Sequence, residues 1–132
     1  MFDDRSPIYR QIADDIRHQI LTGGLAAGDQ VMSTTQYSTF HRINPATVAK
    51  AFQQLVDEDL LEKRRGIGMF VSDGAADRLR TRRRAAFVDD VVGPMMAEAR
   101  RLDIATDDVL DAIRAVTSTL AAAHTATTGD QP

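Results

Sequence analysis

The chain has 132 residues, 43% of them hydrophobic, and a net charge of −3, which fits one domain or one domain with a small extension. It contains no cysteine, which excludes a disulfide framework, a thiolate zinc site and a cysteine nucleophile. No stretch approaches the roughly 18 apolar residues of a membrane span, and the opening MFDDRSPIYR lacks a basic segment followed by an apolar run, so a cytoplasmic location without membrane contact is expected.

Ser6 and Pro7 read as the N-cap and first residue of a helix. Its apolar positions Ile8, Ile12, Ile16 and Ile20 recur at four-residue spacing until Gly23-Gly24 stops it. LAAGDQV, residues 25–31, reads as a loop with at most a short strand. Ser33 with Gln36 fits a capping box, and Tyr37 and Phe40 supply the apolar side of a short helix ending near His41. Pro45 then demands a break, since inside a helix it costs roughly 3 kcal/mol and at the first helical position almost nothing. Asn44 is a favoured cap for the helix that follows, with Val48, Ala51, Phe52 and Leu55 at helical spacing. Only Arg42, Ile43 and Asn44 join the two helices, and so short a turn predicts the steep crossing of a helix-turn-helix nucleic-acid reader.

Downstream, EKRRGIGMFVS offers strands over 61–64 and 69–72 around the glycine tip Arg65-Gly66-Ile67-Gly68. A hairpin in that place is a wing, with its tip beside the DNA backbone. Residues 75–102 form a second helical region, interrupted at Gly93-Pro94, where a kink or break is expected. Its apolar face includes Phe87, Val88, Val91, Val92, Met95 and Met96. Thr106 is the expected cap of a last helix, with Asp107 and Asp108 in its first turn and Val109, Leu110, Ile113 and Val116 on its core face. The end, from about 124, is expected to fray. Two helices carry more apolar surface than they can cover alone, and a second copy of the chain is the simplest cover. The predicted fold class is therefore mostly α with a small β-hairpin: a winged helix-turn-helix head over 1–74 and a two-helix dimerisation tail over 75–132.

Residues 1–84 hold 13 basic and 11 acidic side chains, whereas residues 85–132 hold 3 and 8, so the negative charge sits in the tail. On the predicted third helix, Ala46, Thr47, Lys50, Gln53 and Gln54 lie opposite the apolar stripe, and the first three are of the types that read base edges and phosphates. Asp57, Glu58 and Asp59 would repel phosphates, so this helix is expected to enter DNA by its N-terminus. In RLRTRRR, residues 78–84, Arg78 and Arg80 are candidates for nonspecific DNA contacts. His18, His41 and His124 lack ligand spacing, no cofactor motif occurs, and the acidic pairs read as surface charges, so neither a metal site nor catalysis is expected.

These residues resemble the GntR family of bacterial transcription regulators, in its short-tailed YtrA-like branch. The resemblance rests on PIYRQIADDIRHQILTGGLAAGD, NPATVAKAFQQL, DEDLLEKRRGIGMFV and a tail too short for a separate ligand-binding domain. It implies a winged helix-turn-helix, a homodimer through the tail, and repression at a double-stranded DNA operator; two-fold symmetry makes that operator palindromic, and release by an unidentified small-molecule effector is expected. No residue cluster announces the effector's pocket. The expected DNA-contacting set is Ser33, Thr34, Thr35, Arg42, Asn44, Ala46, Thr47, Lys50, Arg64, Arg65 and Gly66. The chain departs from the family at VMSTT, where Thr35 takes the place of the usual DNA-contacting arginine and Arg42 is the nearby substitute charge. The competing reading is a winged-helix protein-interaction module without DNA binding, since fold alone does not decide function; a small hydrolase using tail carboxylates ranks far behind.

Overall fold

A computed structural model describes the backbone of residues 3–128 and the side chains of residues 3–123. In chain order the elements are α1 (Ile8–Thr22), β1 (Gln30–Val31), α2 (Thr34–His41), α3 (Pro45–Asp57), β2 (Leu61–Arg64), β3 (Gly68–Val71), α4 (Ala75–Phe87), a π-helical turn (Val88–Val92), α5 (Gly93–Arg101) and α6 (Thr106–Thr128). The chain forms two compact units, Met1–Ala85 and Ala86–Pro132. The fold is the expected winged helix-turn-helix head followed by a helical tail.

The head is built on an apolar seam between α1 and α3. Ile12, Ala13, Ile16 and Ile20 of α1 are buried together with Val48, Ala51, Phe52 and Leu55 of α3, while Ile8 lies exposed beyond the core. Pro7, not Ser6, takes the N-cap position of α1, and no side chain caps it. Instead Gln11 ties down the incoming segment, its Nε2 donating to the carbonyls of Asp3 and Ser6 at 2.6 and 2.8 Å. At the other end of the seam, Arg17 reaches from α1 to Glu58, the C-cap of α3, with Nη2 to Oε1 at 2.8 Å and Nε to Oε2 at 3.1 Å. Its Nη1 also holds Asp14 at 2.7 Å.

The capping box of α2 is complete, Gln36 N–H donating to Ser33 Oγ and Ser33 N–H to Gln36 Oε1, each at 3.0 Å. The inner face of α2 differs from the one its pattern suggests: Tyr37 is buried, but Phe40 is 71% exposed. Ser38 takes the second inward place because its hydroxyl donates to the Ile43 carbonyl and closes the turn. Tyr37 meets Phe52 edge-on at 5.8 Å. Arg42 enters the left-handed region at φ 55°, which lets both its own N–H and that of Ile43 reach the Ser38 carbonyl. Asn44 Oδ1 then accepts from Ala46 N–H at 2.8 Å, and Pro45 is the first residue of α3. At the far end of α3, Asp59 adopts φ 61° while Leu60 N–H bonds back to the Leu55 carbonyl, so the helix ends in a Schellman turn without glycine.

The wing is a three-stranded antiparallel sheet of order β1-β3-β2 rather than a lone hairpin. β3 starts and ends one residue earlier than expected, Leu61 pairing with Val71 and Arg64 with Gly68 across β2, and Val31 with Met69 across β1. The first turns of α4 belong to the head core, since Ala75 and Leu79 are buried in it.

In the second unit, Pro94 has no N–H for the regular ladder, and the chain answers with a wider turn in which Gly93 N–H reaches the Val88 carbonyl five residues back. The expected interruption is thus a π-helical turn placed just before the proline. The first hydrogen bond of α6 runs from Val109 N–H to the Ala105 carbonyl, so Thr106 is the first helical residue and not the cap. α6 continues to Thr128; the rest of the expectation of fraying from about 124 lies outside the described residues. Between residues 86 and 123, Ala99 is the one buried residue.

Arg17 and Arg80 make a matched pair for testing the α1–α3 pin, because the Arg17 side chain is 15% exposed and Arg80, paired with Asp77, is 60% exposed. Arg17→Ala leaves Glu58 without its partner and should cost about 1–3 kcal/mol in urea denaturation, whereas Arg80→Ala should cost less than about 1 kcal/mol.

Candidate nucleic-acid interface

The buried stripe of α3 turns Ala46 and Lys50 to solvent and leaves Thr47 half-buried at the edge of the same face. Ala46 and Thr47 lie four and three residues before Lys50, and all three share the N-terminal half of the helix. Asn44, just ahead of them, uses Oδ1 for the cap, which leaves its amide N–H groups as donors. Arg42 is exposed in the left-handed turn between α2 and α3. The helix-turn-helix thus gathers Arg42, Asn44, Ala46, Thr47 and Lys50 along one stretch of surface.

Ser33, Thr34 and Thr35 form the start of α2. The Ser33 hydroxyl accepts the capping bond, Thr34 is half-buried, and Thr35 is exposed beside Met32, Gln36, Thr39 and Phe40, which line a shallow apolar concavity. Thr35 is therefore a surface residue, as a position that faces a ligand must be.

At the wing, Ile67 N–H bonds to the Arg64 carbonyl at 3.0 Å, and Gly66 sits at the tip with φ 76°. Gly68 has φ 141°, and a Cβ there would stand 2.6 Å from Gln30 Nε2, which itself holds the Ile67 carbonyl at 3.1 Å. The tip is fixed by that amide, and glycine is required for it. Of the wing cations, Arg64 is committed: its guanidinium stacks on Phe70 at 4.1 Å and pairs with Glu62 at 2.9 Å. Arg65 is exposed and has no ion pair among the described residues.

Other charges are placed differently from their reading in sequence. Arg78 donates twice to the Asp73 carbonyl and Arg80 pairs with Asp77, so both expected nonspecific contacts are held by local acceptors. Within the acidic trio after α3, Glu58 is neutralised by Arg17, and Asp57 accepts from Gln53. Burial, and next the Asp15 carboxylate, push the Tyr37 hydroxyl up to about 12, so it stays protonated at neutral pH. Among the described residues no group of three histidine or acidic side chains could hold a metal, and no helix is long and apolar enough to cross a membrane.

The expected dimerisation residues lie in the second unit and the end of α4. Phe87, Val88, Val91, Met95, Leu110, Ile113 and Val116 are exposed, and Val92, Met96 and Val109 are half-buried. Sequence reasoning missed Tyr9, whose ring carries the Lys50 ammonium at 4.1 Å from its centre. Forty residues of intervening chain separate the two, and an aromatic in the first turn of a helix reads as core edge.

The head over residues 8–71 matches the model of the bacterial regulatory proteins of the gntR family. The head belongs to the GntR family. Among its relatives, the mannosyl-D-glycerate transport/metabolism system repressor MngR of Escherichia coli is 40% identical over 67 residues, covering 51% of this chain and 28% of that protein. The repressor YtrA of Bacillus subtilis is 37% identical over 79 residues, covering 58% of this chain and 61% of YtrA. The chain therefore spans less than two thirds of the length of either. A GntR family regulator from Listeria monocytogenes superposes with a TM-score of 0.70 at 26% identity, over 86% of this chain and 97% of that one. That match runs through both the head and the short tail.

Because Thr35 is exposed in the first turn of α2, Thr35→Arg should fold normally. Its expected cost is the placing of a cation at a helix N-terminus, about 0.3–1 kcal/mol. Thermal melts of the two forms check this; a much larger loss means that the Thr35 side chain is packed.

Proposed function

We propose that this GntR-family protein is a sequence-specific DNA-binding repressor that acts as a homodimer on a two-fold-symmetric operator. The observation that carries the reading is the N-terminal half of α3, which offers Ala46, Thr47 and Lys50 to solvent behind Arg42 and Asn44, in a head whose relatives MngR and YtrA are named repressors. Ser33, Thr34 and Thr35 would meet the duplex from the start of α2, and Arg64, Arg65 and Gly66 from the wing. Of these, Arg64 is held by Glu62 and Phe70, and Arg65 has no ion pair among the described residues. Residues 1–74 act as the reading head, and residues 75–132 as the dimerisation tail, with the first turns of α4 anchored in the head core. Release by a small-molecule effector belongs to this reading and rests on the family alone.

The homodimer is supported by the second unit itself. With only Ala99 buried between residues 86 and 123, Val91, Ile113 and Val116 stand 48%, 44% and 58% exposed, a larger apolar surface than a free-standing helix pair sustains. A second copy covers such a face by two-fold symmetry. Sedimentation of the full chain at micromolar concentration should give a dimer, and Ile113→Glu should shift it to monomer. A monomeric full chain contradicts the proposal.

Thr47 and Lys50 should divide the work on α3. The short hydroxyl and methyl of Thr47 suit a base edge, and the long stem and point charge of Lys50 suit a phosphate. Lys50→Ala should weaken binding to all sequences alike and flatten the log–log salt dependence by about 0.9 per lost phosphate contact, while Thr47→Ala should blur discrimination at one half-site position. Thr35→Arg should tighten binding by about 1–2 kcal/mol through an added charge-assisted contact. Affinities on matched and single-base-variant duplexes at several salt concentrations check each assignment. Salt-insensitive behaviour of the unaltered protein, or no DNA binding at all, favours the protein-interaction reading instead.

A further inference from the structure

Three sources of positive potential converge where the start of α1 meets the outer face of α3. Lys50 Nζ lies 4.1 Å and the Arg10 guanidinium carbon 5.8 Å from the centre of the Tyr9 ring. Arg10 Nε also donates to the Tyr9 hydroxyl at 3.2 Å. The third source is α1 itself, which starts with neither a capping side chain nor an acidic residue in its first turn, so no side chain of that turn offsets the partial positive charge of its N-terminus. Within residues 1–74, Arg17 and Arg64 each find a carboxylate, whereas Arg65, among the described residues, does not. Among the described residues, Arg10 and Lys50 have none. Two cations held on one ring at a helix N-terminus repel each other and the helix dipole, and an anion between them removes that cost.

We propose that Tyr9, Arg10 and Lys50 form a notch for one backbone phosphodiester of duplex DNA, with α1 adding a contact at the edge of the recognition surface. The proposal rests on the DNA-binding reading and extends it to a helix that the helix-turn-helix argument leaves in a purely supporting role. Tyr9 is the platform: its π face holds Lys50 away from the helix surface, its hydroxyl oxygen fixes Arg10, and its own O–H remains a donor to the phosphate. Lys50 is thereby pre-positioned, which reduces the rotamer entropy lost when it meets the backbone.

The test uses the full chain and a labelled duplex of mixed sequence, with affinity measured by fluorescence anisotropy across a salt series. Arg10→Ala should weaken binding and flatten the log–log slope by about 0.9. Arg10→Lys, which keeps the charge, should restore the slope. Tyr9→Leu, which keeps both charges and removes their platform, should weaken binding by about two- to fivefold with the slope retained. Arg101→Ala, in the second unit and paired with Glu98, is the control and should change neither quantity. Thermal melts of each variant separate loss of the contact from loss of the fold. An unchanged slope in a folded Arg10→Ala protein, or an equal loss in Arg10→Lys, overturns the notch while leaving the DNA reading intact. Failure of the unaltered protein to bind any duplex at low salt overturns both.

Discussion

The seam between α1 and α3 is the constraint on which the rest of the head depends. Once Val48, Ala51, Phe52 and Leu55 are buried against Ile12, Ala13, Ile16 and Ile20, the helical repeat leaves no choice about which side chains of α3 face outward. Truncating a core aromatic such as Phe52 typically costs about 3–5 kcal/mol, a large part of the stability of a small domain. The Arg17–Glu58 pair pins the far end of the same seam and withdraws a carboxylate from the acidic end of α3. Packing and electrostatics thus act together: the interaction that fixes the angle of α3 also reduces the repulsion that its C-terminal end would present to a phosphate.

The tail obeys a different economy. Its two helices meet each other with little burial, and the π-helical turn before Pro94 widens the helix at Val88–Val92, where Val88 and Val91 are exposed. A segment of this kind gains most of its stability from what it is pressed against. Under the proposed dimer, folding and association of the tail should be closely linked, and protein concentration should set the population of the form with two heads.

Features decided by local chemistry were legible in the sequence. Pro45 and Asn44 mark the start of α3, Ser33 and Gln36 that of α2, and Gly66 the wing tip, because each is a property of a few adjacent residues. Features decided across the chain were not. Phe40 looked inward from the pattern of an eight-residue helix, yet Ser38 claimed the place through a bond to Ile43. The short strand allowed over 25–31 is β1, but with only two residues, too few to show alternation, its place in the sheet could not be read and depends on the edge that β3 offers. At the interface, the residue types of α3 could be read directly, whereas the commitment of Arg64, Arg78 and Arg80 to local partners depends on side-chain geometry that no spacing encodes. The meeting of Lys50 with Tyr9 is of the same kind.

The central claim is that two copies of this head read a symmetric DNA site. Selection of duplexes from a random-sequence library by the full chain tests it most directly. The account predicts enrichment of an inverted repeat whose half-sites are centred about one helical turn, or a multiple of one, apart, as two-fold placement of two recognition helices demands. Recovery of no shared sequence, or of a single half-site without its symmetry mate, would contradict it.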